Sequence, residues 1–248
     1  MTAPAFLDVR NVSRHFGHFK ALSDVSVTFA SNQLTAIIGP NGAGKSTFFN
    51  VLSGALTPTT GEIFFEGQNI TGLAPHEYAR RGIAKSFQIT NVFKQLSVHE
   101  NVRVAAQMRY SRFDIFTPRH QLREAIDEAD ALLERVGLIQ LRDKTVADLA
   151  HGQQRSLEIA MALAASPKLL LMDEPTAGMS PQETAAMMDL IVQLAEERTV
   201  ILVEHKMKLV MGICERLIVL HHGEFLAQGT PEDIRNNDEV RRVYLGQG

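Results

Sequence analysis

Apolar and polar residues alternate near the start of the chain, a pattern typical of half-buried β-strands. The alternation covers 6–12 and 25–29, and a third short strand, 61–67, is bounded by turn residues. Continuous apolar runs at 34–38 and 169–172 are instead typical of strands buried on both faces of a parallel sheet. The chain is therefore predicted to begin with antiparallel strands beside the first strand of a buried sheet.

The same patterns predict the elements of the remaining chain. One strand is predicted over 83–88, ending in Gln88, and a buried strand over 199–205, ending in His205. The other predicted elements are a hairpin over 217–227 and helices over 46–52, 74–81, 184–198, 206–214 and from Thr230 onward.

The periodicity becomes helical at Ser97, which forms a capping box with Glu100. Apolar residues then recur at helical spacing, opposite acidic residues, and no strand is predicted before residue 166. The pattern predicts an α/β core made of 1–96 and 166–248, with an all-helical subdomain, 97–165, inserted into it.

A glycine-rich segment joins the apolar run 34–38 to the next helix, and it fits the pattern G-x-x-x-x-G-K-[ST] at every fixed position. The glycines let backbone N–H groups point inward around a phosphate, and the helix N-terminus adds partial positive charge. Lys45 can reach the β- and γ-phosphates of a nucleotide, and the Ser46 hydroxyl can hold Mg²⁺. The predicted phosphate-binding residues are Gly39, Pro40, Asn41, Gly42, Ala43, Gly44, Lys45, Ser46 and Thr47.

Hydrolysis of a bound nucleotide needs a metal ion and a way to activate water as well as a phosphate loop. Asp173 follows the apolar run 169–172, at a strand end where doubly wound sheets place their ligands, and is a candidate ligand of Mg²⁺. Glu174 is the candidate general base towards the attacking water. His205 is expected to donate to the γ-phosphate, and Gln88 to touch Mg²⁺ or the water.

Composition and charge narrow the range of functions. The net charge of −3 over 248 residues implies no strong attraction to nucleic acid or anionic lipid, and no nucleic-acid partner is expected. The single cysteine, Cys214, cannot form an internal disulfide, which fits a reducing compartment. No apolar stretch reaches the roughly 18 residues that a membrane helix needs, and no signal peptide is visible. Any membrane role is therefore expected to be peripheral.

The order of these motifs, with Leu149–Gln153 before the Asp173–Glu174 pair, resembles the ATP-binding subunits of ABC transporters over essentially the whole chain. The resemblance implies an α/β P-loop nucleotide-binding domain with a mixed sheet core, an N-terminal antiparallel β subdomain and an inserted helical subdomain. It implies ATP hydrolysis with Mg²⁺, in a head-to-tail dimer that holds two ATP molecules. Each ATP lies between the phosphate loop of one chain and the signature motif of the other.

The same resemblance assigns further residues. Phe16 or Phe19 could stack on a nucleotide base, and ordinary packing within a hairpin is an equal alternative from the residues alone. The resemblance places Phe16 against the adenine. Gln88 is implied to begin the contact to a membrane subunit. The signature residues that would meet the partner's ATP are Ala150, Gly152 and Gln153.

A narrower similarity points to the branched-chain amino-acid importer subgroup. It rests on 149–154, 177–183, 204–211 and the ending 229–246. It implies an ATPase subunit at the cytoplasmic face of the cell (inner) membrane, bound to transmembrane permease subunits and to a second ATP-binding subunit, the same or a related chain. An extracytoplasmic solute-binding protein would select the cargo.

Other functions are also compatible with these motifs. ATPase subunits that import urea, amides or aromatic acids share the appearance of this subgroup. A soluble ABC ATPase acting on DNA or ribosomes is disfavoured, because such proteins usually carry a coiled-coil insertion or a second ATPase domain. The signature segment and Gln88 argue against a P-loop kinase or a GTPase-like switch.

The signature segment departs from the family pattern at Ala150, where the resemblance leads one to expect a serine. That serine hydroxyl would meet the partner's γ-phosphate. The Gly152 N–H and the helix N-terminus remain as donors. This departure keeps a nonhydrolysing regulatory or structural subunit among the alternatives.

Overall fold

The computed structural model describes residues 5–86, 92–110 and 123–244 of the chain. Its strands are β1 (Leu7–Phe16), β2 (Phe19–Phe29), β3 (Leu34–Ile38), β4 (Thr60–Phe65), β5 (Gln68–Asn69), β6 (Ile83–Ser86), β7 (Leu169–Asp173), β8 (Thr199–Val203), β9 (Arg216–His221) and β10 (Glu224–Gly229). Its α-helices are α1 (Lys45–Leu52), α2 (Pro75–Arg80), α3 (Val98–Tyr110), α4 (Arg123–Arg135), α5 (His151–Leu163), α6 (Pro181–Ala195), α7 (Met207–Ile213), α8 (Pro231–Asn236) and α9 (Asp238–Val243).

The strands form two sheets. The first is antiparallel, in the order β2-β1-β4-β5, and the second has six strands in the order β10-β9-β3-β8-β7-β6. The pairs from β9 to β6 are parallel, and only the edge strand β10 runs antiparallel to its neighbour. The second sheet is therefore mixed, and the carboxyl ends of β3, β7 and β8 meet at one edge.

Two apolar layers cover the two faces of the six-stranded sheet. Alternate side chains of β3 point to opposite faces, so that Ala36 and Ile38 belong to one layer and Ile37 to the other. The layer around Ile37 contains α1 and the antiparallel sheet, and the opposite layer contains residues of α3 to α6. Because both faces are covered, the central strands are continuous apolar runs, as the sequence predicts.

The helical subdomain follows its predicted start. The Ser97 hydroxyl accepts from the Glu100 N–H at 3.1 Å, as expected for a capping box. The described parts of 97–165 contain α3, α4, α5 and two short 3₁₀ turns, and none of the strands lies there. The domain boundaries themselves stay a prediction.

Several element boundaries differ from the prediction. Strand β1 extends to Phe16 instead of ending at residue 12, and β2 begins at Phe19 instead of residue 25. Helix α6 begins at Pro181 and ends at Ala195, three residues earlier at each end than predicted. Its start is set by Ser180, whose hydroxyl accepts from the Glu183 N–H, and by Pro181 at the first helical position. Strand β8 ends at Val203, two residues before His205. Within the described ranges, no helix is both long and apolar enough to cross a bilayer.

Candidate nucleotide site

The phosphate loop lies between β3 and α1, as predicted. Residues 41–47 line a cavity of about 250 Å³ together with Phe19, Ala21 and Glu174. Gly44 precedes α1 with φ of 92°, and a Cβ there would lie 2.7 Å from the Ala21 carbonyl oxygen. A side chain at this position would be strained and would also clash, so the close turn requires glycine.

Lys45 is held at the cavity by the loop itself. Its Nζ donates to the Gly39 carbonyl at 2.8 Å and to the Pro40 carbonyl at 2.9 Å. Burial lowers the pKa of Lys45, while the charges of Glu174 and Asp173 act in the opposite direction. The loop therefore fixes the ammonium group where both predicted carboxylates act on it electrostatically.

Asp173 is the last residue of β7 and is 5% exposed. Burial raises the pKa of its carboxyl group, and the nearby Lys85 ammonium is the strongest influence that lowers it. Lys85 lies on the neighbouring strand β6 and donates to the Asn50 side chain at 2.6 Å. The sequence analysis missed Lys85, although a lysine within a short buried strand is a signal for a buried carboxylate partner.

Glu174 and His205 are brought together although 31 positions separate them. The His205 Nδ1 lies 3.4 Å from the Glu174 Oε1. Glu174 has φ of 45°, a left-handed conformation that is uncommon for a residue with a side chain. Its N–H donates to the Val203 carbonyl at 2.9 Å, which fixes this conformation against the end of β8. Strained backbone of this kind clusters at functional sites.

A buried carboxylate, Glu204, explains why β8 ends early. One of its oxygens accepts from the Thr176 hydroxyl at 2.6 Å and from the Thr176 N–H at 3.3 Å. The other accepts from the His205 N–H at 3.2 Å. The Glu204 carboxylate therefore replaces the next hydrogen bond of the β-ladder. It also connects His205 to the segment after Glu174. The signal in the sequence is a glutamate at the end of a continuous apolar run.

We expect Glu204→Gln to destabilise the protein by about 1–3 kcal/mol, because each oxygen of Glu204 accepts and the amide NH₂ would face a donor instead. The free energy of unfolding in urea measures this change. Glu224→Gln, on the exposed face of β10, is the matched control and should stay within about 0.5 kcal/mol of wild type. Equal stability of the two variants would contradict the role of Glu204.

The signature segment lies at a different cavity from the phosphate loop. Ala150 directly precedes α5, and its N–H donates to the Gln153 side chain at 3.1 Å. Gly152 and Gln153 line a cavity of about 460 Å³ beside α6. The described lining of the phosphate cavity includes no signature residue. Within one chain, these predicted nucleotide contacts are therefore not assembled into one site.

The predicted roles of Phe16 and Gln88 are not tested by the described cavity. Phe16 is 45% exposed, and the Arg14 guanidinium carbon lies 4.8 Å from its ring centroid. The described lining of the phosphate cavity includes Phe19 and not Phe16, so the adenine contact of Phe16 stays a prediction. Gln88 lies outside the described residues, and its roles at Mg²⁺ and at a membrane subunit stay predictions as well.

Comparison with known proteins assigns the chain to a family. The model of the ABC transporter family matches residues 22–177, and a model named for the branched-chain amino acid ATP-binding cassette transporter matches residues 226–248. The chain is 41% identical to the high-affinity branched-chain amino acid transport ATP-binding protein LivG of Escherichia coli, over 97% of this chain and 98% of that protein.

Solved structures show the same fold. The ADP conformation of an ATP-binding cassette of an ABC transporter is 30% identical, with a TM-score of 0.86, and covers 98% of this chain and 99% of its own. A bacterial ABC transporter cassette solved as a dimer is 26% identical, with a TM-score of 0.78, and covers 91% of this chain and 98% of its own.

The chain belongs to the ABC transporter family, as an ATP-binding subunit. The predicted family, the P-loop α/β fold class and the assignment as an ATP hydrolase are thereby confirmed. The roles of the individual site residues stay predictions.

Proposed function

We propose that this chain is the ATP-hydrolysing subunit of an importer for branched-chain amino acids. The hydrolytic part of the proposal rests on Glu174, which lines the phosphate cavity, and on His205, which lies 3.4 Å from Glu174. The matching C-terminal segment and the likeness to LivG support the cargo.

The phosphate loop and Lys45 bind the nucleotide. The loop residues and the first residues of α1 line the cavity, and the N-terminus of a helix stabilises anions. Lys45 is pre-positioned by two carbonyls, so it can turn to a phosphate oxygen without crossing the site. A charge-assisted contact of this kind contributes more than a neutral hydrogen bond.

The residues present fit a magnesium ion. Ser46 lines the phosphate cavity, and Asp173 ends β7 directly before Glu174 of the cavity lining. The two side chains supply the oxygen donors that this ion prefers. Gln88, which the sequence predicts to touch Mg²⁺ or the water, would add a further oxygen donor. The bound ion would neutralise charge that develops on the β- and γ-phosphate oxygens.

Glu174 is the general base. His205 positions Glu174 and donates to the γ-phosphate. A carboxylate about one third exposed at the cavity wall can accept a proton from water. His205, half exposed and 3.4 Å away, is oriented through its backbone by Glu204. The pair can therefore act on a water molecule and on the phosphate it attacks.

The complete site requires two chains. Ala150, Gly152 and Gln153 lie at a cavity separate from the phosphate loop, which supports a site shared with a second, head-to-tail ATP-binding subunit. The dimeric form of a related cassette supports the same arrangement. ATP binding then closes the dimer, and hydrolysis reopens it.

The subunit acts at the cytoplasmic face of the cell membrane, on permease subunits that form the path through the bilayer. An extracytoplasmic binding protein delivers the solute to those permeases. Importers of urea, amides or aromatic acids are the alternative assignment, and uptake of labelled solutes separates the two.

We expect a host strain that lacks this gene to lose high-affinity uptake of labelled leucine, isoleucine and valine. Uptake returns with the wild-type gene but not with Glu174→Gln, which separates loss of hydrolysis from loss of the protein. Labelled urea, an amide and an aromatic acid are measured in the same cells. Normal uptake of all three branched-chain amino acids with lost uptake of another solute would overturn the cargo.

A further inference from the structure

The N-terminus of α5 lacks a side-chain cap of its own. The preceding residue is Ala150, and a methyl group cannot accept from the first free N–H groups of the helix. Helices α6 and α8 of the same chain do have such caps, from Ser180 and Thr230. The helix that carries the signature segment therefore needs an acceptor from elsewhere.

The Glu183 carboxylate lies at that position. A Cβ built on Gly152 would be 2.5 Å from the Glu183 Oε1 and 2.9 Å from its Cδ, so only glycine permits this approach. The other oxygen, Oε2, accepts from the Ser180 N–H at 2.9 Å. One carboxylate thus meets the N-termini of two helices, where partial positive charges favour an anion.

The electrostatics agree with this arrangement. The Ser180 N–H and hydroxyl, and then the Gly152 N–H, hold the pKa of Glu183 below its ordinary value. The same two segments also approach each other at Gly178, because a Cβ built there would lie 3.5 Å from the His151 ring. The segment 149–153 and the loop 177–180 therefore lie side by side.

We propose that Glu183 is a positioning residue, which caps α5 from α6 in place of the missing side chain at Ala150 and fixes the segment 149–153 against the loop 177–180. The loop 177–180 follows Asp173 and Glu174 along the chain. Glu183 therefore connects the surface that faces the partner's ATP with the segment that carries the catalytic carboxylate. The effect on hydrolysis rests on the two-chain site proposed above. The cap itself does not.

Helix α8 shows how an aspartate behaves at the position that Glu183 occupies in α6. Asp233 occupies the same position in α8 as Glu183 in α6, and its carboxylate accepts from the Thr230 N–H at 2.9 Å. Glu183→Asp should therefore keep the box at Ser180, but its carboxylate would end about 1.5 Å short of Gly152. Glu196→Asp, at the exposed end of α6, is the matched control.

Hydrogen exchange of the protein without nucleotide tests the cap. We expect the amides of residues 152–153 to exchange roughly tenfold faster in Glu183→Asp, the change that follows from losing a typical N-cap. The first turn of α6 and the whole Glu196→Asp variant should be unchanged. Unaltered protection at Gly152 would overturn the proposal, whether or not the chain hydrolyses ATP.

Rescue tests the reason for the cap. Ala150→Ser supplies an acceptor at the N-cap of α5, so it should restore the exchange protection lost in Glu183→Asp. Glu183→Asp should lower kcat for ATP hydrolysis about threefold or more and leave nucleotide affinity unchanged. Adding Ala150→Ser should raise kcat by a larger factor in the Glu183→Asp variant than in wild type. Equal factors would mean that the hydroxyl acts on the nucleotide alone, which would overturn the capping role. An inactive wild type would instead contradict the proposed hydrolysis and leave the exchange result standing.

Discussion

Glu174→Gln is expected to lose about 10²- to 10⁴-fold in ATP turnover while it still binds nucleotide. Glutamine has nearly the shape of glutamate and can keep a contact to His205, which lies 3.4 Å from the carboxylate in the wild type. It cannot accept a proton from water. The change therefore removes an interaction that matters only on the way to the transition state.

The same variant should accumulate as a dimer with ATP, because closure precedes hydrolysis in the proposed cycle. Phosphate release gives turnover, a fluorescent nucleotide gives affinity, and sedimentation with and without ATP gives the dimer. Glu224→Gln removes an exposed carboxylate on β10 and should behave as wild type. Turnover in Glu174→Gln within about threefold of wild type would exclude Glu174 as the base.

Lys45→Ala is expected to weaken ATP binding roughly tenfold or more, since a hydrogen bond to a charged group contributes about 1.5–3 kcal/mol. The structure adds a reason for this loss, because two loop carbonyls already fix the ammonium at the cavity. Little side-chain freedom is left to lose when the phosphate binds. Titration of a fluorescent nucleotide measures the affinity.

A second lysine gives the control for charge alone. Lys94→Ala removes the same side chain from an exposed position outside the phosphate cavity and should leave nucleotide affinity unchanged. A general electrostatic attraction would weaken binding similarly in both variants. Unchanged affinity in Lys45→Ala would be incompatible with a phosphate-binding role for this residue.

Local sequence was sufficient where the chemistry depends on neighbours in the chain. The phosphate loop has fixed spacing because successive backbone N–H groups must surround one phosphate. Buried parallel strands are continuous apolar runs, so 34–38 and 169–172 could be located, and with them the position of Asp173 at a strand end. The late hairpin and the Thr230 cap follow from equally local signals.

Boundaries were less certain where a side chain from elsewhere completes the backbone bonding. The apolar run 199–203 continues into Glu204 and His205, and the pattern alone extends the strand to its end. Glu204 instead satisfies the His205 N–H with its own carboxylate. Periodicity records which residues are apolar and carries no information about such a bond.

The sequence by itself determined the fold class, the phosphate loop and the carboxylates at the end of β7, because each depends on contiguous residues. Only the tertiary structure decided the partners of those groups. It brings His205 to Glu174, Lys85 near Asp173, and Glu183 to Gly152. Each of these contacts joins residues about 30 or more positions apart, and their distance in space is set by how helices and strands pack around the sheet.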